Sequence, residues 1–316
     1  GRRCGAAREA EGLEEQQVTG HEGGDEIAEH VEPAEFSEGE TEEHEGQTQE
    51  GGGGAEVTVD FSTVDEGFAA DGVIKASHPI YRFVRWITYR FAPSRLFSLG
   101  PNQANYLKNN YGKSIHTTII PCGVLLDQPR DFTPPDWRTD NGKIYFGYAG
   151  NLGDAHSSDF LLAFLKHFNP KRHHLLLAIY GTKSEEILKA ADGKEGITIL
   201  KNIPRSQLHY IDVHLVSLLA KWTHIAVPSK AMSSVCAGGT ILFCGSKEAD
   251  TWALLQEAGW HIEESADIDS QVRLFLSQIT LNEVLRKKII VNQLANTLKT
   301  MLTQGYEGVV DFIISR

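Results

Sequence analysis

Cysteine is scarce in this chain. Its 316 residues hold four, Cys4, Cys122, Cys236 and Cys244, and no two of them form a Cys-x-x-Cys pair. That spacing indicates neither a zinc site nor a redox dithiol, and so few thiols suit a reducing compartment. No histidine pair at His-x-x-x-His spacing occurs with an acid on a helical pattern, so no metal is expected. No Gly-x-Gly-x-x-Gly follows a strand pattern, which argues against a nicotinamide dehydrogenase. Gly112-Lys113-Ser114 looks like the end of a P-loop, but Leu107 stands where that loop requires its first glycine. No run of about 18 apolar residues is present to span a membrane, and no apolar leader follows Gly1. A cytoplasmic protein is the expectation.

Acid is present in excess but unevenly. The formal net charge is −12, yet residues 1–71 hold 21 Asp and Glu against Arg2, Arg3 and Arg8, so residues 72–316 carry +6. With Phe36 as nearly its sole aromatic, the stretch 1–55 lacks the apolar surface needed to offset chain entropy and is expected to be a disordered, solvated acidic tail. A second domain, 56–126, a polar linker, 127–142, and a large domain, 143–302, are expected to follow, with a last helix over 303–316.

The segment after the tail has no acid at all between Asp71 and Asp127, while Lys75, Arg82, Arg85, Arg90, Arg95, Lys108 and Lys113 supply seven positive charges. Ile80, Phe83, Val84, Ile87 and Phe91 share one helical face, with Arg82, Arg85, Tyr89 and Arg90 elsewhere around it. Two readings stay open: an interfacial helix on an anionic membrane, peripheral at its inner face, or a helix packed on a sheet with a solvated basic side. Nucleic acid is not expected as a partner, because no base-stacking sheet motif accompanies the charge. Residues 95–99 and 116–121 read as strands around a helix over 103–111.

From residue 143 onward the pattern is strand and helix in alternation. Residues 143–149, 175–180, 197–200, 213–218 and 240–244 are short apolar runs. Nearly continuous apolar strands imply an α/β fold with a parallel sheet covered on both faces. Thr182 with Glu185 reads as a capping box for a helix through Ala191. The first strand ends in Tyr148-Ala149-Gly150-Asn151-Leu152-Gly153, and Pro228-Ser229-Lys230 opens a helix that stops at Ala237-Gly238-Gly239. A glycine turn at a strand's carboxyl end and a helix N-terminus can together hold a diphosphate. His156 reads as a surface histidine at a helix start rather than a catalytic group.

The ordered series formed by this turn, Ile203-Pro204, Val213-His214-Leu215-Val216, Val227-Pro228-Ser229-Lys230 and Ala237-Gly238-Gly239-Thr240-Ile241-Leu242 resembles the donor half of retaining two-domain (GT-B) glycosyltransferases, those of the colanic-acid and capsule type most of all. The resemblance covers roughly residues 75–316. It implies a GT-B-like fold with a Rossmann-type donor domain, and a donor diphosphate held by Gly150, Asn151, Leu152, Gly153, Ser229 and Lys230. Many members place a glutamate five residues before the glycine matching Gly238, where it meets the donor ribose; this chain has Ser233 there. The stretch Asp154-Ala155-His156-Ser157-Ser158-Asp159-Phe160 lacks the cation that members often carry, which leaves Lys230 to neutralise the diphosphate nearly alone. Glu248 and Asp250 fall where the family often has an acid near the transferred sugar, although an acidic loop also serves solubility.

The implied activity is transfer of a sugar from a nucleotide-diphosphate sugar to a sugar or lipid-linked acceptor in polysaccharide or glycolipid assembly, with no cofactor and with catalytic residues unassigned. A non-catalytic donor-binding scaffold and a sugar-nucleotide epimerase are the alternatives. Residues 57–126 provide room for roughly two strand-helix units, so the first domain is expected to be truncated and transfer by this chain alone to be poor.

Overall fold

The computed structural model describes residues 77–315 apart from 92, 113, 128, 129 and 140. The expected acidic tail 1–55, Lys75, Lys113 and the residues up to 76 lie outside the described residues. Helix α1 (Pro79–Arg90) begins on His78, whose ring accepts from the Ile80 N–H, with Pro79 at its first position. Strands β1 (Arg95–Ser98) and β2 (His116–Ile119) pair in parallel across helix α2 (Pro101–Tyr111). Gly112, at φ +62°, ends α2 in the left-handed conformation, so the apparent P-loop fragment is a helix terminus.

The larger sheet contains β3 (Ile144–Asn151), β4 (His173–Tyr180), β5 (Ile197–Ile199), β6 (Val213–Ser217), β7 (Thr240–Gly245) and β8 (Gly259–Glu263). They run in the order β5-β4-β3-β6-β7-β8 with every pairing parallel. The order reverses between β3 and β6, which opens a crevice at the carboxyl ends of those two strands. Helices α3 (Ser158–His167), α4 (Ser184–Ala191), α5 (Ser229–Cys236), α6 (Asp250–Leu255), α7 (Ile268–Gln278) and α8 (Leu281–Ile314) connect and cover the strands.

Alternation along each strand sorts the core into two layers. Phe146, Tyr148, Leu242 and Cys244 face one side with Phe160 and Phe164 of α3 and Val272 of α7. Ile241 and Phe243 face the other with Met232 and Val235 of α5 and Val291 and Leu298 of α8. At the amino ends of β3 and β6, the buried Asp212 carboxylate accepts from Arg138 of the linker at 2.8 Å, from Lys288 of α8 at 2.7 Å and from the Tyr145 N–H at 2.9 Å. Burial alone would raise its pKa, but the two cations outweigh that and hold it below the usual carboxylate range.

Three expectations need correction. The Thr182 hydroxyl does not cap a helix: α4 starts two residues later without a side-chain cap, and Thr182 donates to Asp154 at 3.3 Å. The last helix, expected as a separate element over 303–316, is instead the end of α8, which runs unbroken for 34 residues from Leu281 to Ile314. Gly305 is there for proximity, since a Cβ would lie 2.7 Å from the Ile119 carbonyl oxygen. Arg95 of β1 then donates to the Gly308 carbonyl at 2.8 Å, so α8 itself makes the return to the small sheet. Strand β8 has no counterpart among the expected strands.

Candidate functional site

The crevice at the sheet's switch point is a cavity of about 390 Å³. Gly147, Ala149 and Gly150 of β3 form one wall, with Ala178 and Tyr180 of β4 beside them. Ser229, Lys230, Ser233 and Ser234 of α5 form the opposite wall, and Gly123 and Leu125, in the segment after β2, close it. Lys201, Asn202, Ile203 and Arg205, after β5, form a further side, and Leu208, His214 and Leu215 complete the lining.

Each wall follows from local sequence. Gly150 has φ +118°, a conformation that side chains resist, so a glycine belongs at this turn. Gly123, at φ +75°, lies so close to the Ser229 carbonyl that a Cβ would overlap it, which lets the segment after β2 pass against the start of α5. Helix α5 begins after Pro228 with no side-chain cap, so its first backbone N–H groups are left to the cavity. Ser233 and Ser234 both donate to the Lys230 carbonyl, at 3.0 and 2.7 Å. Both hydroxyl oxygens therefore keep their lone pairs for a ligand.

Lys230 is the most perturbed cation of the site. Its ammonium lies 3.8 Å from the centre of the Tyr148 ring, donates to the Tyr148 hydroxyl and donates to the Asn151 carbonyl at 3.0 Å. Tyr148 also donates to that carbonyl, at 3.1 Å, and burial pushes its own pKa upward, so it stays a neutral donor. Removal from water lowers the Lys230 amine to about 7. His156 is half-buried rather than on the surface: its Nδ1 lies 2.6 Å from the Ser217 carbonyl and its ring stands edge-on to Tyr148. Burial first, and then the nearby Lys230, bring it down to about 4, so it is neutral near pH 7 and ties the β3 loop to the end of β6. His214, under the cavity, falls to about 3 for the same first reason.

The anticipated residues separate into three groups. Gly150, Ser229, Lys230 and Ser233 line the cavity together. Asn151 contributes its carbonyl to Lys230 and Gly153 accepts from the His156 N–H at 3.0 Å, both outside the lining. The Leu152 side chain is wholly in the core, which removes it from ligand contact. Asp250 is also corrected: it is fully buried, and its carboxylate accepts the Asn102 and Gln103 N–H groups at 2.7 and 2.8 Å, capping α2. Glu248 is exposed and lies 3.8 Å from His224, lining a separate cavity. Lys230 does not stand alone either, because Lys201 and Arg205 line the same space. They flank Ile203-Pro204 in the sequence, and a loop after a parallel strand was the available signal.

Among the described residues, no group of three His, Cys, Asp or Glu side chains could hold a metal, and no helix is long and apolar enough to cross a membrane.

No protein-family model matches the chain, and no curated protein matches it. Solved structures do. Trehalose-6-phosphate synthase OtsA matches at TM-score 0.51 and 11% identity, over 74% of this chain and 62% of that one. The E. coli trehalose-6-phosphate structure bound with UDP-2-fluoro glucose matches at TM-score 0.53 and 12% identity, over 76% and 64%. Sucrose-phosphate synthase from Thermosynechococcus elongatus matches at TM-score 0.52 and 14% identity, over 77% and 66%. In each case the chain spans less than two thirds of the matched structure. None of the three is of the colanic-acid or capsule type. Identities this low show the fold alone, and that fold is the α/β architecture of GT-B proteins, with a Rossmann-like parallel sheet.

Proposed function

We propose that this chain binds a nucleotide-diphosphate sugar in the switch-point cavity and serves glycosyl transfer. One observation carries the reading: Gly150, the uncapped start of α5 and the three cations Lys201, Arg205 and Lys230 all converge on one cavity of about 390 Å³. Free N–H groups at a helix start, a glycine turn and cations are the donors that a diphosphate needs, and they would stabilise charge developing on it as it departs. Tyr180, 63% exposed at the end of β4, offers a ring face to the nucleobase. The Ser233 hydroxyl would meet the ribose in place of the glutamate of related enzymes. Retention, a hexosyl donor and a sugar or lipid-linked acceptor of polysaccharide or glycolipid assembly complete the proposal. The donor is a substrate, and no cofactor enters.

Titration calorimetry with UDP, GDP and ADP tests it. At least one should bind with a Kd in the micromolar range, and its sugar conjugate should release nucleoside diphosphate when an acceptor is added. Absence of binding by all three at millimolar concentration would overturn the proposal.

A second reading, donor binding without transfer, is favoured by the lining itself. It contains no Asp or Glu, and its one histidine, His214, is buried and neutral. Nucleotide binding without turnover on any acceptor would select that reading.

A further inference from the structure

The orientation of α1 answers the question that its sequence left open. Among the described residues, no sheet packs against its apolar face. Ile80, Phe83, Trp86 and Phe91 are 63%, 60%, 61% and 69% exposed, and Val84 and Ile87 flank them, also exposed. Tyr81, on the opposite side of the helix, is the residue that is buried. Helical spacing of 100° per residue puts Ile80, Phe83, Val84, Trp86 and Ile87 in one outward arc, and Phe91 is the extended residue that follows the helix. Phe83 and Trp86 stack with ring centroids 6.3 Å apart, so the two largest side chains of the arc form one exposed aromatic pair.

Cations lie beside this arc and within it: Arg82 and Arg85 follow on from its Trp86 edge, and Arg90 falls at an angle between Trp86 and Phe83, at the carboxyl end of the helix. Arg82, Arg85 and Arg90, with Trp86, Tyr89 and Asn110, line an open cavity of about 520 Å³. Arg85 is partly committed, donating to Asn110 at 2.7 Å and lying over the Tyr89 ring. Arg82 lies nearer the arc, and Arg90 within its span. No acidic residue lies anywhere in residues 72–126 to oppose them.

We infer that α1 is a docking helix for an anionic lipid bilayer, with Phe83, Trp86, Ile87 and Phe91 entering the acyl boundary and Arg82 and Arg90 meeting lipid phosphates. An apolar face rimmed by arginines is what an interfacial helix presents to such a surface. Trp86, between the arc and the basic cavity, sits where an indole belongs at a membrane interface. A second copy of the chain is a poorer occupant, because a two-fold contact through this face would bring the arginines of both copies together. The inference does not depend on what fills the switch-point cavity.

The test is sedimentation of the full chain with vesicles of phosphatidylcholine alone and of phosphatidylcholine with 30% phosphatidylserine. Binding is expected to the anionic vesicles and to weaken steeply between about 50 and 500 mM salt. Arg82→Gln and Arg90→Gln should each lower partition about fivefold. Phe83→Ser with Trp86→Ser should abolish it, while circular dichroism and thermal melting stay unchanged because both side chains are exposed. Vesicles with brominated acyl chains should quench the wild-type tryptophan emission and spare most of it in Trp86→Phe. Equal binding to both vesicle types, or binding indifferent to the arginine and the aromatic changes, would overturn the inference. So would a concentration-dependent dimer that Phe83→Ser dissociates, with no vesicle binding, since the face would then join two copies.

Discussion

Lys230 offers the sharpest test of the site. Burial disfavours the charged form and lowers its amine to about 7. A bound diphosphate would hold it protonated. Above pH 7 each further unit therefore costs the protein a protonation before binding, a factor that approaches ten per unit, or about 1.4 kcal/mol. Between pH 7 and 8.5 the affinity for a nucleoside diphosphate should fall about 15-fold, with the terminal phosphate, whose pKa is about 6, ionised throughout. His156 and His214, lowered to about 4 and about 3, contribute nothing in that window. Lys230→Arg should flatten the profile, because guanidinium stays charged. Lys230→Ala should weaken binding at pH 7 by about 1.5 to 3 kcal/mol, the range for a hydrogen bond to a charged group. Stability should move the other way. The folded pKa lies below the unfolded value of 10.5, so the unfolded chain holds more protons between about 7 and 10.5 and stability rises with pH across that interval. Lys230→Met should thus melt higher than the wild type at pH 7, with the advantage shrinking toward pH 10. Calorimetry at four pH values would refute the reasoning if the wild type changed less than twofold, or if the arginine variant kept the slope.

Asp250→Ala should cost about 1 to 2 kcal/mol in urea denaturation by uncapping α2, where its carboxylate holds two N–H groups, and leave nucleotide affinity unchanged. Gly305→Val should destabilise by about 1 to 3 kcal/mol through overpacking against Ile119 and Ile120, read as a lower urea midpoint. Asp212→Ala should cost about 3 kcal/mol, because it leaves Arg138 and Lys288 facing each other without their anion. Since the folded Asp212 pKa is depressed, the stability it supplies is present above the ordinary carboxylate range and is lost as pH falls through its folded pKa; a urea midpoint that drops with acid in the wild type and not in the variant checks this.

Most of the large sheet was legible because strands buried on both faces read as continuous apolar runs, as at residues 175–180 and 240–244. Strand β8 was not, since Gly259-Trp260-His261-Ile262-Glu263 lies at the sheet edge and mixes polar with apolar residues. Gly305 looked like a helix end, and only its approach to Ile119 explains a glycine inside α8. Asp250 has the loop position of a ligand group and the contacts of a cap. Which of the two a carboxylate becomes depends on α2, a neighbour some 150 residues away in sequence, and no local pattern encodes it. The same holds for Lys201 and Arg205, which join Lys230 only when β5 pairs with β4 and brings its loop to the crevice.

Lys230 is held by burial and by neutral partners. Removal from water is what brings the Lys230 amine down, so it is the cation of this lining that can give up its proton near neutral pH. Tyr148 and the Asn151 carbonyl give its amine two neutral acceptors and a ring face, which keep it placed whether or not it carries a proton. An arriving diphosphate exchanges those neutral acceptors for anionic ones, and charge-assisted hydrogen bonds are roughly twice as strong. Proton uptake then accompanies binding, so the heat of binding near pH 8 should depend on the ionisation enthalpy of the buffer. Titrations in phosphate and in Tris at pH 8 should differ by the buffer heat of nearly one proton, and the difference should vanish in Lys230→Arg. Identical heats in the two buffers would mean that Lys230 was already charged, and its burial between Tyr148 and α5 would need another explanation.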